Sequence, residues 1–315
     1  MIPNALKALY KRQGYRLVGS HSAVKPCAWL RKALLDRGYC YKQQFYGIKS
    51  HQCIQCTPSV AWCEHSCLFC WRPTEYTIGQ ELKDYDEPRE LVDSMIKAHK
   101  EFLVGYKGAL GINLKKLAEA NNPKHVALSL SGEPTIYPKL GGLINEFNKR
   151  GMTTFVVTNG TEPDKLESLN PLPTQLYLTL PSPDEQTYLK TCKPLIKDGW
   201  FRINKSLDIL SKLKTRRVIR LTLVRGLNMI NVNGYAKLIS KAVPDWVEVK
   251  SFMSVGSSRD RLPYDRMPLH NEIKDFANEL ARELGWIVID EKVDSRVCLL
   301  AKNDSKDRKI ILVGS

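Results

Sequence analysis

Residues 62–72 read Trp-Cys-Glu-His-Ser-Cys-Leu-Phe-Cys-Trp-Arg and place Cys63, Cys67 and Cys70 in a C-x3-C-x2-C loop. Three thiolates in one tight loop are typical of a [4Fe-4S] cluster that keeps one iron without a protein ligand. Structural zinc instead takes four ligands, commonly as two C-x2-C pairs from separated segments. The loop therefore favours a cluster bound by its three cysteines. The alternative is a zinc site completed by one of three nearby residues, Cys53, Cys56 or His65.

Seven of the nine cysteines of the 315-residue chain lie between Cys27 and Cys70. In a reducing compartment such a group indicates metal binding or redox chemistry rather than a disulfide framework. Cys27, Cys40 and Cys53 are evenly spaced, 13 residues apart, and supply three further thiolates for a second cluster with an open iron. Buried free thiols are expected for the other three cysteines, Cys56, Cys192 and Cys298.

Downstream of the loop, apolar runs typical of strands alternate with amphipathic segments typical of helices. Six consecutive strand–helix units without a GxGxxG turn predict an α/β fold, a partial TIM-type barrel of the (β/α)6 kind rather than a dinucleotide-binding sheet. The strands are predicted at 54–62, 126–130, 153–158, 175–180, 218–224, 246–251 and 286–289. We expect three segments: a basic N-terminal segment (1–53) that supplies the second set of cysteines, the barrel (54–258), and a C-terminal α/β extension (259–315) packed on the barrel.

Short polar motifs follow the predicted strands, where the loops of a barrel line its mouth. Ser131-Gly-Glu-Pro-Thr135 follows the second strand, Asn159 follows the third, and Ser182 follows the fourth. Taken alone, these are common turn and helix-capping sequences. Arg220 and Arg225, on and after the fifth strand, either bind an anionic ligand or form a solvated basic face.

These motifs resemble those of the radical S-adenosylmethionine (SAM) enzymes. The cysteine loop matches the superfamily signature, and residues 131–134 are similar to its GGEP motif with serine in first place. The resemblance implies a [4Fe-4S] cluster whose open iron binds the amino and carboxylate groups of SAM. By the same matching, Glu133 receives the SAM amino group, and Asn159 and Ser182 form hydrogen bonds with its carboxylate or ribose.

The chain carries 48 Lys and Arg against 33 Asp and Glu, a formal net charge of +15 that favours a polyanionic partner. Its first 50 residues hold ten of these basic residues and one acid, Asp36. Basic groups interleaved with aromatic rings suit RNA, whose phosphates supply affinity and whose unstacked bases stack on the rings. A helix over 23–37 with a solvated basic face is the simpler alternative. The seven aromatic residues are Tyr10, Tyr15, Trp29, Tyr39, Tyr41, Phe45 and Tyr46.

Membrane contact is not expected, because no apolar run approaches the roughly 20 residues that a membrane span needs. Lysines and arginines interrupt the first 19 residues, which therefore lack the apolar core of a secretory signal. We expect a cytoplasmic protein.

Three longer stretches narrow the resemblance to one family. Residues 40–48 (CYKQQFYGI), 62–72 and 249–256 (VKSFMSVG) resemble the archaeal tRNA 4-demethylwyosine synthases of the wybutosine pathway, and the likeness spans nearly the whole chain. The resemblance implies a lyase that uses SAM to condense N1-methylguanosine in phenylalanine tRNA with pyruvate, giving the tricyclic base 4-demethylwyosine. Lys42 matches the family lysine proposed to form a Schiff base with pyruvate.

The same resemblance implies further cofactors and partners. A second [4Fe-4S] cluster on Cys27, Cys40 and Cys53 is assigned to pyruvate. Eukaryotic members carry an additional flavodoxin-like domain that this sequence lacks, so an external donor of the flavodoxin or ferredoxin type and a monomeric enzyme are expected. The target nucleotide must leave its stack to present its methyl group, and aromatic residues such as Trp71 are candidates to hold the base.

Three alternatives stay open at this point. Lys42, taken alone, is more simply a surface lysine that contacts phosphate. A radical SAM activase or peptide-maturing enzyme also carries accessory cysteines and has no need of the basic N-terminal segment. The non-enzymatic alternative is a zinc-dependent RNA-binding module in which all seven early cysteines serve folding.

Overall fold

The computed structural model of the chain describes residues 2–310, apart from the side chain of Lys306, and builds them around one ten-stranded sheet. The strands are β1 (Arg16–Val18), β2 (Ser22–Val24), β3 (Cys53–Thr57), β4 (His125–Leu128), β5 (Thr153–Thr158), β6 (Gln175–Thr179), β7 (Arg216–Leu223), β8 (Trp246–Ser251), β9 (Ile287–Lys292) and β10 (Val297–Ala301). Strands β1 to β8 are neighbours in chain order, and β10 lies between β8 and β9.

The six strands from β3 to β8 pair in parallel, and the sheet does not close on itself. The predicted partial barrel is confirmed. The first predicted strand is too long, because β3 ends at Thr57 and not at residue 62. Pro58 has no N–H to donate to a ladder, and the chain turns at once, with the Ser59 N–H donating to Thr57 Oγ1 at 3.2 Å.

Antiparallel strands flank the parallel core on both sides. The hairpin of β1 and β2 pairs with β3, and β10 pairs with both β8 and β9. Of these four flanking strands, sequence analysis predicts only β9. The two hairpin strands have three residues each, which is too short for an alternating pattern, and β10 is an apolar run buried throughout, without a period. One continuous sheet crosses the segments predicted at 1–53, 54–258 and 259–315, and those boundaries stay predictions.

Eleven α-helices lie within residues 2–310, and none of them is long and apolar enough to cross a membrane. The predicted helix over 23–37 is shorter in the structure, because β2 occupies its first residues. The helices are α1 (Asn4–Arg12), α2 (Ala28–Leu34), α3 (Tyr41–Tyr46), α4 (Pro88–Val104), α5 (Leu114–Ala120), α6 (Leu140–Lys149), α7 (Pro163–Glu167), α8 (Glu185–Cys192), α9 (Gly199–Leu210), α10 (Val232–Ala242) and α11 (His270–Leu284).

The two faces of the parallel sheet pack against different parts of the chain. Successive residues of a strand point to opposite faces, so Leu176 and Leu178 of β6 join the core under the long outer helices, whereas Tyr177 points to the concave inner side. The short helix α3 fills that inner side with Tyr41 and Phe45, which belong to the same buried cluster as Tyr177. The interior of the open barrel is therefore occupied by a helix from the N-terminal segment.

This packing corrects the expectation that the N-terminal aromatic residues stack on RNA. Five of the seven are buried in the protein, because α1 and α3 turn their aromatic faces inwards; Trp29 is half-buried and Tyr39 is exposed. The basic residues divide differently, since seven of the ten are exposed to solvent. The buried rings are Tyr10, Tyr15, Tyr41, Phe45 and Tyr46, and the exposed basic residues are Lys7, Lys11, Arg12, Arg31, Lys32, Arg37 and Lys49.

Candidate active site

A cavity of about 220 Å³ opens where the carboxyl ends of β3 to β6 meet. Its lining includes Cys63, Cys67 and Cys70 from the loop after β3, and Glu133 and Asn159 from the loops after β4 and β5. Parallel strands place their following loops at the same edge, which explains why residues almost 100 positions apart line one cavity. The structure thus brings together five of the residues that sequence analysis predicts for the first cluster and SAM.

Main-chain contacts hold the cysteine loop against its neighbours. The N–H of Leu68 donates to the Thr191 carbonyl at 3.0 Å, and the N–H of Glu133 donates to the Trp62 carbonyl at 2.9 Å. On the other side, the N–H of Ser257 donates to the Trp71 carbonyl at 3.0 Å. The loop is therefore fixed by α8, by the loop after β4 and by the loop after β8.

Arg261 is a further support of the loop that sequence analysis misses. Its guanidinium donates to three main-chain carbonyls, those of Leu68, Cys70 and Arg72, and forms an ion pair with Glu75 at 2.7 Å. The residue lies 191 positions from Cys70, so nothing in the local sequence indicates this contact.

The Ser131-Gly-Glu-Pro motif needs a glycine in its second place. Gly132 has a φ of +71°, and a Cβ atom there would lie 1.7 Å from the Ser59 carbonyl oxygen. Glycine is therefore required both by the backbone conformation and by the close approach of the turn after β3.

Glu133 is the third residue of this motif, and both oxygens of its carboxylate accept hydrogen bonds. Oε1 accepts hydrogen bonds from the Thr135 N–H at 3.1 Å and from the hydroxyls of Thr135 and Thr158 at 2.7 Å, while Oε2 accepts from the Asn159 N–H at 2.7 Å. Burial raises the pKa of Glu133, and these four donors oppose that effect. In its ionised form, this carboxylate suits a cationic ligand such as the SAM ammonium.

Glu64 is a second buried carboxyl that sequence analysis did not single out, although it lies between two of the predicted ligands. Its Oε2 accepts from Asn159 Nδ2 at 3.3 Å, and its Oε1 is buried without a hydrogen-bond partner in the described part of the chain. Burial and the neighbouring Glu133 raise the pKa of Glu64 to about 8. The amide of Asn159 is thereby oriented from two sides, since its Oδ1 also accepts from the Thr161 N–H at 2.9 Å.

Ser182 is not brought to the cavity wall in the same way. Its neighbour Pro181 lines the cavity, whereas the Ser182 hydroxyl is buried and lacks a hydrogen-bond partner within residues 2–310. Glu64 is likewise absent from the cavity lining. Buried polar atoms are usually hydrogen-bonded, and Ser182 Oγ and Glu64 Oε1 are two exceptions among the described residues that lie next in sequence to lining residues.

The three thiols of the loop fit a metal centre in their surroundings. Burial raises the pKa of Cys63, and a hydrogen bond with Cys192 together with burial raises that of Cys67, so neither is a thiolate at neutral pH unless a metal binds it. Without a metal, the Cys67 sulfur lies within 4.8 Å of the sulfur of Cys192 and a ring nitrogen of His65. Cys192 is a buried free thiol, as expected, and it also lines the cavity.

The second predicted set of cysteines gathers around the inner helix. Cys27 and Cys40 precede α2 and α3, and Cys53 begins β3. Burial raises the pKa of all three thiols, and Cys27 raises those of Cys40 and Cys53 further, so that the pKa of Cys40 rises to about 11. Cys56, the neighbour of this set in sequence, points instead to the outer core.

Lys42 belongs to this second group, and the expectation of a surface lysine is wrong. Its side chain is 7% exposed, and its Nζ lies 4.6 Å from the ring centre of Tyr177 and 4.9 Å from that of Phe155. Burial lowers the pKa of Lys42, and the guanidinium of Arg220 lowers it further. An amine in this position becomes neutral, and hence nucleophilic, more easily than a lysine in water.

Arg220 forms the centre of a buried polar network and is not part of a solvated face. It pairs with Glu248 at 3.0 Å, and Glu248 accepts hydrogen bonds from the hydroxyls of Tyr41 at 3.0 Å and Tyr46 at 2.9 Å. The network attaches α3, and with it Lys42, to β7 and β8. Arg225, by contrast, forms an ion pair with Glu272 away from both groups of cysteines.

Lys250 is a second lysine of this region, half-buried, that sequence analysis did not single out as a site residue. Its Nζ donates to the Ser295 carbonyl at 2.7 Å and lies 5.3 Å from the ring centre of Tyr41. Burial and Arg220 lower the pKa of Lys250 to about 8. Two amines of reduced basicity therefore lie near Cys40.

Comparison with known proteins identifies the family. A model of the Radical SAM superfamily matches residues 57–239, and one described as wyosine base formation matches residues 241–302. A protein of Pyrococcus abyssi named S-adenosyl-L-methionine-dependent tRNA 4-demethylwyosine synthase is 49% identical over 308 residues, which cover 96% of this chain and 90% of the relative. The chain belongs to the tRNA 4-demethylwyosine synthase family.

Other relatives of the tRNA 4-demethylwyosine synthase family agree with this assignment. A protein of Methanocaldococcus jannaschii with the same name is 43% identical and matches 97% of this chain and 98% of its own length. A solved structure described as TYW1 with a lysine-pyruvate adduct bound is 41% identical, with a TM-score of 0.90, and covers 98% of this chain and 100% of that chain. The predicted superfamily and family are confirmed, and membership of an enzyme family favours an enzyme over a zinc-dependent binding module.

Gly132→Ala should disrupt the SAM site of this family member. The new Cβ atom cannot fit beside Ser59 without moving the motif that carries Glu133, so SAM affinity of the reconstituted enzyme should fall at least tenfold in equilibrium dialysis. Gly111→Ala is the matched control, because Gly111 has a similar φ of +79° but no atom within 4 Å of the added carbon. Its cost should be limited to about 1 kcal/mol of stability from backbone strain, with SAM affinity unchanged. Equal SAM affinity of the two variants would show that the close approach is unimportant.

Proposed function

We propose that this chain is a radical SAM lyase that condenses N1-methylguanosine of phenylalanine tRNA with pyruvate to form 4-demethylwyosine. The observation that carries the proposal is the environment of Lys42, a buried amine of lowered pKa among Cys27, Cys40 and Cys53. The relative described with a lysine-pyruvate adduct supports the same chemistry for this lysine.

Cys63, Cys67 and Cys70 are the proposed ligands of the first [4Fe-4S] cluster, and Glu133, Asn159 and Ser182 are the proposed SAM contacts. When bound, the cluster and SAM supply a 5′-deoxyadenosyl radical that removes a hydrogen atom from the methyl group of the base. The engaged carboxylate of Glu133 receives the SAM ammonium, and the orphaned Ser182 hydroxyl donates to or accepts from the same molecule.

Cys27, Cys40 and Cys53 are the proposed ligands of a second [4Fe-4S] cluster that binds pyruvate. In its neutral form, the Lys42 amine attacks the ketone carbon of pyruvate, and loss of water leaves an imine. Val157 and Thr179 line the first cavity, and Phe155 and Tyr177 lie two residues earlier on the same inner face, roughly 7 Å deeper. The proposed pyruvate site thus lies directly below the SAM cavity.

A stacked base cannot reach this interior, so the target nucleotide must flip out of the RNA. Phe69 and Trp71 line the cavity and are the proposed aromatic contacts of the base. The exposed basic residues of the first 50 positions are the proposed contacts of the tRNA phosphates. An external electron donor of the flavodoxin or ferredoxin type, a monomeric state and a cytoplasmic location complete the proposal.

Incubation with tRNA that contains N1-methylguanosine, together with pyruvate, SAM and a reductant, tests the proposed reaction directly. We expect nucleoside mass analysis to detect 4-demethylwyosine, and the product should require all four components. SAM cleavage without any change in the tRNA would instead favour a radical SAM enzyme with another substrate.

Substitutions in the two groups of cysteines should have different effects on SAM cleavage and on product formation. Cys63→Ala should abolish reductive SAM cleavage, because the first cluster loses a ligand. Cys27→Ala should leave SAM cleavage measurable and stop formation of 4-demethylwyosine. Anaerobic iron analysis supplies the reference, with about eight irons per chain expected for two [4Fe-4S] clusters. The same loss of cleavage in both variants would contradict separate roles.

Lys42 should form the pyruvate adduct with a rate that depends on pH. Only the neutral amine reacts, so borohydride trapping of labelled pyruvate should rise with pH and level off above the lowered pKa of Lys42. Arg220→Gln should move this profile to higher pH, since it removes a cation and leaves Glu248 beside the amine. Lys42→Ala should trap no pyruvate. Trapping that survives in Lys42→Ala and disappears in Lys250→Ala would move the assignment to Lys250.

A further inference from the structure

Arg72 is the largest fully buried side chain among the described residues. It follows Cys70 by two positions, is 1% exposed and lines the cavity together with Cys63. Its guanidinium donates to Thr77 Oγ1 at 2.9 Å and to the His65 carbonyl at 3.3 Å. Nε is buried without a hydrogen-bond partner in the described part of the chain.

The charge of Arg72 has no carboxylate to neutralise it. Within residues 2–310, no carboxylate oxygen lies within the 4.0 Å that defines an ion pair with this guanidinium. The acid that follows it in sequence, Glu75, is paired with Arg261. An arginine stays protonated in proteins, and burying its charge against two neutral acceptors costs more free energy than those hydrogen bonds return.

The groups near Arg72 that become anions when a metal binds are the three thiols of the loop. Arg72 lines the cavity with Cys63, Cys67 and Cys70, and it donates to the carbonyl of His65 within the same loop. The thiolate forms of Cys63 and Cys70 would favour the charged guanidinium and oppose the effect of burial on its pKa. The other group in reach, the Tyr10 hydroxyl, is buried and stays neutral, with its pKa raised to about 12. The cavity wall therefore holds a fixed positive charge beside the three cysteines of the loop.

We propose that Arg72 is the counter-ion of the cluster bound by Cys63, Cys67 and Cys70, and that its charge raises the reduction potential of this cluster. The inference rests on the proposed function, because it requires a [4Fe-4S] cluster at these thiolates. Three thiolates outweigh the two positive charges of an oxidised core by one, and each added electron increases that excess. A nearby cation in a dry site therefore stabilises the reduced state more than the oxidised state.

A raised potential has a direct consequence for the reaction. The cluster must accept an electron from an external donor before SAM is cleaved, and Arg72 shifts this equilibrium towards the reduced cluster. Arg72 would affect the reduction of the cluster and would not contact the substrate. It is therefore a positioning residue and not a catalytic residue.

A redox titration followed by EPR spectroscopy tests this inference in the reconstituted holoenzyme without SAM. The signal of the first cluster is identified by its change when SAM is added afterwards. In Arg72→Gln, the ratio of reduced to oxidised cluster at a given potential should fall at least tenfold, a shift of 59 mV or more to lower potential for a one-electron couple. Arg72→Lys keeps the charge and should show less than half of that shift.

A matched control separates charge from support of the loop. The double variant Arg261→Gln with Glu75→Gln removes an ion pair and three contacts to loop carbonyls without changing the net charge. Its potential should stay close to that of the unchanged protein. An unchanged potential in Arg72→Gln, or equal shifts in Arg72→Gln and Arg72→Lys, would overturn the counter-ion role.

Loss of the cluster would also be informative. If Arg72→Gln takes up no iron at this site while Arg72→Lys does, the charge is needed for assembly and the proposal stands; if neither does, the role is structural and the proposal fails. A weaker SAM affinity with an unchanged potential would assign Arg72 to the SAM carboxylate instead. Absence of any SAM-sensitive cluster from the unchanged protein would refute the proposed function itself, which is a different result from all of these.

Discussion

The parallel pairing of β3 to β6 is the constraint on which the rest of the site depends. Its register sets Cys56 beside Leu128, Leu128 beside Val156, and Thr158 beside Leu178, so the four strands end at nearly the same level. The loops that follow must then converge at one edge, and each of them carries a group of the candidate site. A slip of one residue in any pair would exchange inner and outer faces and remove that group from the cavity.

The interior of the barrel contains charged side chains, and two of them form a buried ion pair. Arg220 and Glu248 neutralise each other, and the hydroxyls of Tyr41 and Tyr46 donate hydrogen bonds to the Glu248 carboxylate. Such pairs contribute little net stability, because desolvation offsets most of their attraction. Their role here is geometric, since they attach α3 to the sheet. Among the described residues, Lys42 and Lys250 near Cys40 and Arg72 near Cys63 have no carboxylate within ion-pair distance, and Lys42 and Arg72 are the two with a proposed function.

The N-terminal segment combines two properties that its sequence does not separate. Its aromatic rings fill the barrel and the outer core, and most of its lysines and arginines remain in water. The segment therefore contributes to the core and to the proposed pyruvate site from one side, and presents positive charge to a polyanion from the other.

Sequence alone determined the features that depend on local spacing. The C-x3-C-x2-C loop, the six strand–helix units and the polar motifs after the strands are patterns of neighbouring residues, and each was recovered in the structure with small errors at strand ends. Tertiary structure alone decided which side chains are buried and what they face, because burial depends on segments far apart in the chain. The pKa of Lys42 is lowered by burial against side chains of β5 and β6 and by Arg220 of β7. Arg261 supports the cysteine loop through hydrogen bonds to its carbonyls. Because Arg261 forms an ion pair with Glu75, this carboxylate is not paired with Arg72. No periodicity in the sequence records such contacts.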